Sequence, residues 1–346
     1  VDAPCVPWAM LISFLAVRNT LLGAVQEGVW GRRVRQTEIV DAPLFVIGHW
    51  RSGTTWLHEL LALDDRHVYP TTYACVFPGH FLLTESYISR LFGFALPRRR
   101  PQDGMPLGWN RPQEDEFALC NLGLPSPYLS FAFPRHPAQC QEYFDLDDVP
   151  PPARDRWKQG LLRFLKQVTL RQPRRLVLKS PTHTFRIRVL LELFPQARFV
   201  HIVRDPYAVL PSTLHTWRTL NRVLGLQRSS SDGLEGRVFG TFNRMFDTLE
   251  QTRPLVAPSH FHVLRYEDLV RDPVGQIRAT YDHLGLGDVG PVLPRLQRYV
   301  AESVRYQTNR YRVSPELRDA ITQRAGSVIS RYGYATAAAV SSGTGD

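Results

Sequence analysis

The sequence predicts a three-layer α/β fold, with a central parallel sheet flanked by helices. First, a short segment rich in Val, Ile, Leu or Phe leads four times through a turn into a helical segment. These strands are PLFVI at 43–47, RRLVLK at 174–179, ARFVHIV at 197–203 and HFHVLR at 260–265. Second, PLFVI has no polar residue, as expected of a strand buried on both faces. Third, the chain has 346 residues of which 43% are apolar, enough to bury a large core in one domain spanning 1–346. Repeated βα units of this kind place ligands at the C-terminal ends of the strands.

Residues 7–32 come first and read as an N-terminal helix. Met10, Leu11, Phe14, Leu15, Leu21, Leu22 and Val25 form one broad apolar face. The simpler expectation packs that face on the domain. The alternative is a surface that sits on a membrane or admits a lipid-like molecule, for which the low charge of the segment is suited. Arg32, Arg33 and Arg35 lead to the first strand. No run of 18 uncharged apolar residues occurs, so no conventional transmembrane span is expected. The first residue is Val1, which leaves a preceding segment as an open expectation.

The stretch PLFVIGHWRSGTTWLHELL, 43–61, organises the rest. Strand, glycine-containing turn and helix form a P-loop arrangement, as in P-loop NTPases. There, backbone N–H groups and the positive end of a helix face an anion. Gly48 and Gly53 have the spacing of GxxxxGK[ST], but Thr54 stands where the lysine would be. The cation of the turn is Arg51. A purely structural glycine turn is the plainer alternative.

Residues 64–153 read as irregular loops and a helical insert on the substrate side. Their aromatics, prolines and glycines are typical of loops that contact ligands. Arg98, Arg99 and Arg100 cluster there, most simply as a solvated face. Glu114, Asp115 and Glu116 precede a helical segment. Acids at a helix N-terminus are favourable for that reason alone, yet crowded carboxylates also supply a base. Residues 121–153 read as a loop across the pocket, and 155–170 as a helix. Residues 233–250 are again helical, 301–332 join a basic aromatic stretch to a helix, and 335–346 read as a mobile tail.

The formal charge is +10, carried almost wholly by arginine, since the lysines are Lys158, Lys166 and Lys179. Nucleic acid, an acidic membrane or an anionic cofactor would each suit it. No lysine-rich tract or zinc-finger spacing favours nucleic acid. Cys5, Cys75, Cys120 and Cys140 are scattered, so reduced thiols and a cytoplasmic protein are expected.

Taken together, RSGTTW, LKSPTH, VRDP with the following Ser212, and RYEDL resemble the PAPS-dependent sulfotransferases over about 43–332. PAPS is 3′-phosphoadenosine-5′-phosphosulfate. The likeness is nearer the bacterial and protein- or glycan-modifying branches than the small-phenol branch, because Arg51 replaces the usual loop lysine. The resemblance implies that Arg51, Ser52, Gly53, Thr54 and Thr55 cradle the 5′-phosphosulfate and that Trp56 stacks on adenine. Arg204 and Ser212 would hold the 3′-phosphate, Arg265 and Tyr266 would lie on the adenine side, and Arg305, Arg310 or Arg312 would close the site. The family's glycine-rich cofactor loop is not evident. Lys179 ends its strand where the family has a catalytic lysine, and a lysine buried there is costly without an anion.

An acceptor hydroxyl would then attack sulfur in line with the departing phosphate, releasing adenosine 3′,5′-bisphosphate. Arg51, Lys179 and backbone donors would meet the charge without a metal. The family's small-molecule branch has a histidine two residues past the lysine, and Pro181 stands there. Other branches use a glutamate, so the resemblance implies Glu114 as the first candidate base, with Asp115 and Glu116 following and His183 as the rival. His49 is a loop residue or an acceptor contact, and His58 is structural. A small, lipid-like or saccharide alcohol is the expected partner, with peripheral membrane contact open and oligomeric state not legible. A nucleotide kinase or ATPase is one alternative, weakened by the missing loop lysine. A nonenzymatic nucleic-acid or membrane adaptor is the other, and it has no need of Lys179 and Arg204 at strand ends.

Overall fold

The computed structural model describes residues 1–91, 104–136, 138–228, 232–303 and 313–334. Arg98, Arg99, Arg100, Arg305, Arg310, Arg312 and the tail 335–346 lie outside the described residues.

Five strands form one parallel sheet: β1 Leu44–Ile47, β2 His67–Val68, β3 Arg175–Lys179, β4 Arg198–Val203 and β5 Phe261–Arg265. Their order is β2-β3-β1-β4-β5. The four expected βα units supply β1, β3, β4 and β5. The edge strand β2 is an addition, since two residues carry no readable period. In register, Val46 lies opposite Lys179 on one side and Val200 on the other. The loop after β1, the end of β3 and the end of β4 therefore open at one edge.

The helices run in chain order. α1 is Val6–Gln36, α2 Thr54–Leu61, α3 Thr72–Val76, α4 Phe81–Leu91, α5 Asp115–Asn121, α6 Leu129–Ala132, α7 Pro151–Arg171 and α8 Ile187–Leu193. Then come α9 Pro206–Leu224, α10 Leu234–Thr252, α11 Tyr266–Arg271, α12 Pro273–Leu284, α13 Leu293–Ser303, α14 Pro315–Arg324 and α15 Gly326–Arg331. Alternation along β1 divides the core. Leu44 and Val46 pack with Leu57, Leu60 and Leu61 of α2 and Ile277 and Tyr281 of α12. Phe45 and Ile47 pack with Trp157 and Phe164 of α7 and Phe239 and Phe242 of α10. Each such side chain contributes about 1.5–3 kcal/mol by leaving water, and helices on both faces make the three layers.

Three expectations are corrected. The stretch 64–153, expected as loops and a helical insert, also holds the strand β2, and its helices begin with α3, which like β2 is too short for a readable period, and α4. A helix long and apolar enough, by length and composition, to cross a membrane does exist, Ala3–Gln36. An uninterrupted run misses it because Arg18 and Asn19 fall inside. Finally, the expected apolar face of α1 is divided. Leu15 and Leu22 are half-buried, whereas Met10, Leu11, Phe14, Leu21 and Val25 are exposed.

Three fully buried histidines tie stability to pH. Burial lowers His49 to about 4, against a weaker opposing bond to Trp50. Burial first, then Lys179, lowers His58 to about 3, and burial lowers His201 to about 3. Their folded values lie below the unfolded one, so the unfolded chain binds more protons once pH falls below about 6.5. Stability should therefore fall with pH from about 6.5 down to about 4. The slope is about 1.4 kcal/mol per pH unit for each histidine. Urea unfolding at pH 7.5 and 5.5 checks this; equal stability at both would contradict it.

Candidate active site

After β1 the chain turns through Gly48–Gly53 before α2. Gly48 has φ +145°, Arg51 +70° and Gly53 +102°. A Cβ on Gly48 would come within 2.4 Å of the Ile202 carbonyl oxygen, and one on Gly53 within 2.4 Å of the Tyr266 ring. Both backbone shape and packing thus require glycine there. Gly48 N–H donates to Thr184 Oγ1 at 2.9 Å. The Ser52 N–H and Oγ both donate to the His49 carbonyl, at 3.1 and 2.7 Å. The Ser52 hydroxyl proton is therefore already committed within the loop. Among the described residues no side chain caps α2. Its first N–H groups, at Thr54, Thr55 and Trp56, lie at the positive end of the helix dipole and suit an anion.

Other expected residues converge on this loop. Arg51 Nε donates to Ser212 Oγ at 3.0 Å, and Arg204 Nη1 donates to the Arg51 carbonyl at 3.1 Å. The Arg204 guanidinium lies over the Tyr266 ring, 4.2 Å from its centroid. Trp56 meets Tyr266 edge-on at 6.4 Å. Among the described residues no carboxylate pairs with Arg204. Its neighbour Asp205 instead caps α9, accepting from Tyr207 N–H at 2.9 Å. The Arg265 guanidinium, at the end of β5, lies over the Tyr334 ring, 4.3 Å from its centroid.

A second cluster forms at the end of β3. Lys179 is only 1% exposed. Its Nζ donates to Glu114 Oε1 at 2.7 Å and to Thr55 Oγ1 at 3.4 Å. Tyr128 OH donates to Glu114 Oε2 at 2.6 Å and accepts from Trp50 Nε1 at 3.1 Å. Burial, then the Glu114 carboxylate, push the Tyr128 hydroxyl well above its usual value, so it stays a donor.

The three successive carboxylates go three ways, because α5 begins just after Glu114. Asp115 Oδ2 meets His183 Nε2 at 2.6 Å, both side chains fully buried. Glu116 pairs with Arg186, also fully buried, and accepts from Thr182 at 2.8 Å and Ser126 at 2.5 Å. Burial alone would raise both acids, but His183 and Arg186 more than offset it and hold them low. The expectation of Asp115, Glu116 and His183 as bases is corrected accordingly: enclosed and paired with each other or Arg186, they present no atom to an acceptor. Glu114, with 12% of its side chain exposed, is the accessible member. His49 and His58 are buried, donating to the carbonyls of Trp50 at 2.8 Å and Val177 at 3.1 Å.

A cavity of about 340 Å³ adjoins the second cluster, lined by Trp50, Tyr128, Phe131, Phe144, Trp217 and Asn221 among others. Trp50 and Tyr128 belong to both. Neither was legible as a site residue, although Trp50 sits inside the loop motif and Tyr128 in the aromatic run PYLSFAFP. A second cavity, of about 270 Å³ near β2, shares no residue with either cluster. The four cysteines are free.

The anion loop reaches Lys179 and Glu114 through Thr55, and the mainly apolar cavity reaches Glu114 through Tyr128. That arrangement suits a transferase with an anionic donor. Comparison with known proteins gives the family. The profile of the sulfotransferase family matches residues 43–289, and the chain belongs to that family. It is 50% identical over 327 residues to omega-hydroxy-beta-dihydromenaquinone-9 sulfotransferase Stf3 of Mycobacterium tuberculosis, covering 94% of this chain and 84% of that protein. The Mycobacterium bovis protein of the same name matches equally. In fold it is similar to the crystal structure of the sulfotransferase STF9 from Mycobacterium avium, with a TM-score of 0.69 at 20% identity, over 91% of this chain and 82% of that one. The chain is thus a PAPS-dependent sulfotransferase, moving a sulfuryl group from PAPS to an acceptor, which sets aside the kinase and adaptor alternatives.

Proposed function

We propose that the acceptor is the hydroxyl of a lipid-like alcohol and that Glu114 removes its proton. The observation that carries this is the sharing of Trp50 and Tyr128 between the aromatic cavity and the hydrogen-bond chain to Glu114. An apolar body seated in the cavity leaves its hydroxyl beside that carboxylate. The 50% identical relative is named for a hydroxylated menaquinone, which is chemistry of the same kind.

The cofactor residues fit a ligand with two anionic ends. The uncapped α2 terminus, with Arg51, Gly53, Thr54, Thr55 and the Ser52 backbone, would hold the 5′-phosphosulfate. Arg204 and Ser212 would hold the 3′-phosphate, and Trp56 and Tyr266 the adenine. PAPS supplies the sulfuryl group and its phosphate as leaving group. Glu114 Oε1 accepts the hydroxyl proton as the new O–S bond forms. Lys179 and Arg51 meet the charge left on phosphate when the old S–O bond breaks. Lys179 Nζ reaches both Glu114 and Thr55, so one cation spans the two sides of the reaction.

Turnover of labelled PAPS with primary alcohols of increasing chain length tests the acceptor class. Each added methylene buried should raise kcat/KM about fourfold until the cavity is filled. A flat series, or preference for a saccharide, would overturn the reading.

A further inference from the structure

The long helix α1 is turned the wrong way round for a soluble surface helix. Met10, Phe14, Val17, Leu21, Val25 and Val29 recur every three or four residues and are each 55% to 68% exposed. Along the axis this stripe is about 29 Å long. Trp8, Leu11 and Ile12 widen it at the N-terminal end. Polar side chains meanwhile tie the helix to the protein. Asn19 Oδ1 accepts from His80 Nε2 at 3.2 Å, and Gln26 Oε1 accepts from the Leu82 N–H at 2.8 Å. Glu27 pairs with Arg163 of α7. Water as the outer phase would favour the opposite arrangement.

Two further observations name the outer phase. Arg32, Arg33 and Arg35 are exposed at the C-terminal end of the helix, where anionic headgroups would meet them. At the other end, α1 begins beside the acceptor cavity. Asp2 N–H donates to the Leu226 carbonyl at 3.0 Å, and Asp2 pairs with Arg135. Leu226 N–H in turn donates to the Ala132 carbonyl at 2.8 Å, next to the cavity residue Phe131. Exposed Val223 and Leu224 extend the apolar surface there.

We propose that α1 lies in the interface of an anionic lipid bilayer, outer face down, and so brings the cavity to a membrane-held acceptor. This rests on the lipid-alcohol reading for its purpose, but not for the binding itself. Spanning is disfavoured, because it would strip Asn19, Gln26 and Glu27 from their partners and place them in hydrocarbon. An amphipathic helix buried by one face keeps those bonds.

Flotation of the full chain with phosphatidylcholine vesicles, with and without phosphatidylglycerol, tests this. The wild type should float with the anionic vesicles. The variant Phe14→Glu, Leu21→Glu, Val25→Glu should bind at least about tenfold less, while turning over a soluble short-chain alcohol at the wild-type rate. Arg32→Ala and Arg33→Ala should each cost about fivefold, on anionic vesicles only. Absence of wild-type flotation, or undiminished flotation of the triple variant, would overturn the proposal. So would a wild-type dimer that the triple variant dissociates, which would give the face to a second copy of the chain. Intact vesicle binding without turnover of any lipid alcohol in detergent would support the docking and refute the acceptor reading instead.

Discussion

Glu114→Gln should lower kcat about a thousandfold, the usual reach of general-base catalysis, while leaving affinity for adenosine 3′,5′-bisphosphate essentially unchanged. Glutamine keeps the size of the side chain and one oxygen for the Lys179 donor, with its amide NH2 towards the Tyr128 hydroxyl oxygen, but it takes up no proton. In the wild type those donors, at 2.6 and 2.7 Å, hold the carboxylate facing the site. Neighbouring acids offer no substitute, because Asp115 and Glu116 are enclosed with His183 and Arg186. Steady-state rates with labelled PAPS, beside bisphosphate binding, separate loss of chemistry from loss of cofactor. A variant within tenfold of wild type would remove Glu114 as the base.

Arg186→Met should destabilise the fold by about 3–5 kcal/mol, lowering Tm by about 4–7 °C in a chain of this length. Arg186 is fully buried beneath the site. It pairs with Glu116, donates to the carbonyls of Tyr143 at 2.7 Å and Phe144 at 3.1 Å, and lies over Trp157 at 4.6 Å. Methionine fills much of the volume but leaves the Glu116 carboxylate buried without its cation. Adding Glu116→Gln should recover part of the loss, because the stranded charge is the main cost. Urea denaturation of the single and double variants measures both. A loss under about 1 kcal/mol, or no recovery, would mean the pair does not hold α5 to the turn after β3.

The βα units were legible because buried parallel strands leave a run of Val, Ile, Leu and Phe. The anion loop was legible because Gly48 and Gly53 occupy positions that tolerate no Cβ. Neither signal exists for β2 or α3, whose two and five residues are too short for a period. Glu114, Asp115 and Glu116 looked equivalent as a sequence. Each helical residue turns the next side chain by about 100°, and the partners that divide them, His183 and Arg186, lie about seventy positions away. Tyr128 was hidden for the same reason, since its hydroxyl matters only once residue 114 folds against it. For α1 the pattern showed an apolar stripe, but periodicity does not say which side the domain takes. The polar anchors Asn19 and Gln26 decide that.

The central claim is tested most directly by calorimetry with adenosine 3′,5′-bisphosphate on the wild type and Arg204→Ala, beside magnesium-ATP. Tight binding of the bisphosphate, weakened at least about tenfold by the substitution and stronger than that of ATP, is the predicted result. Failure to bind the bisphosphate, or preference for magnesium-ATP, would contradict the account of the loop.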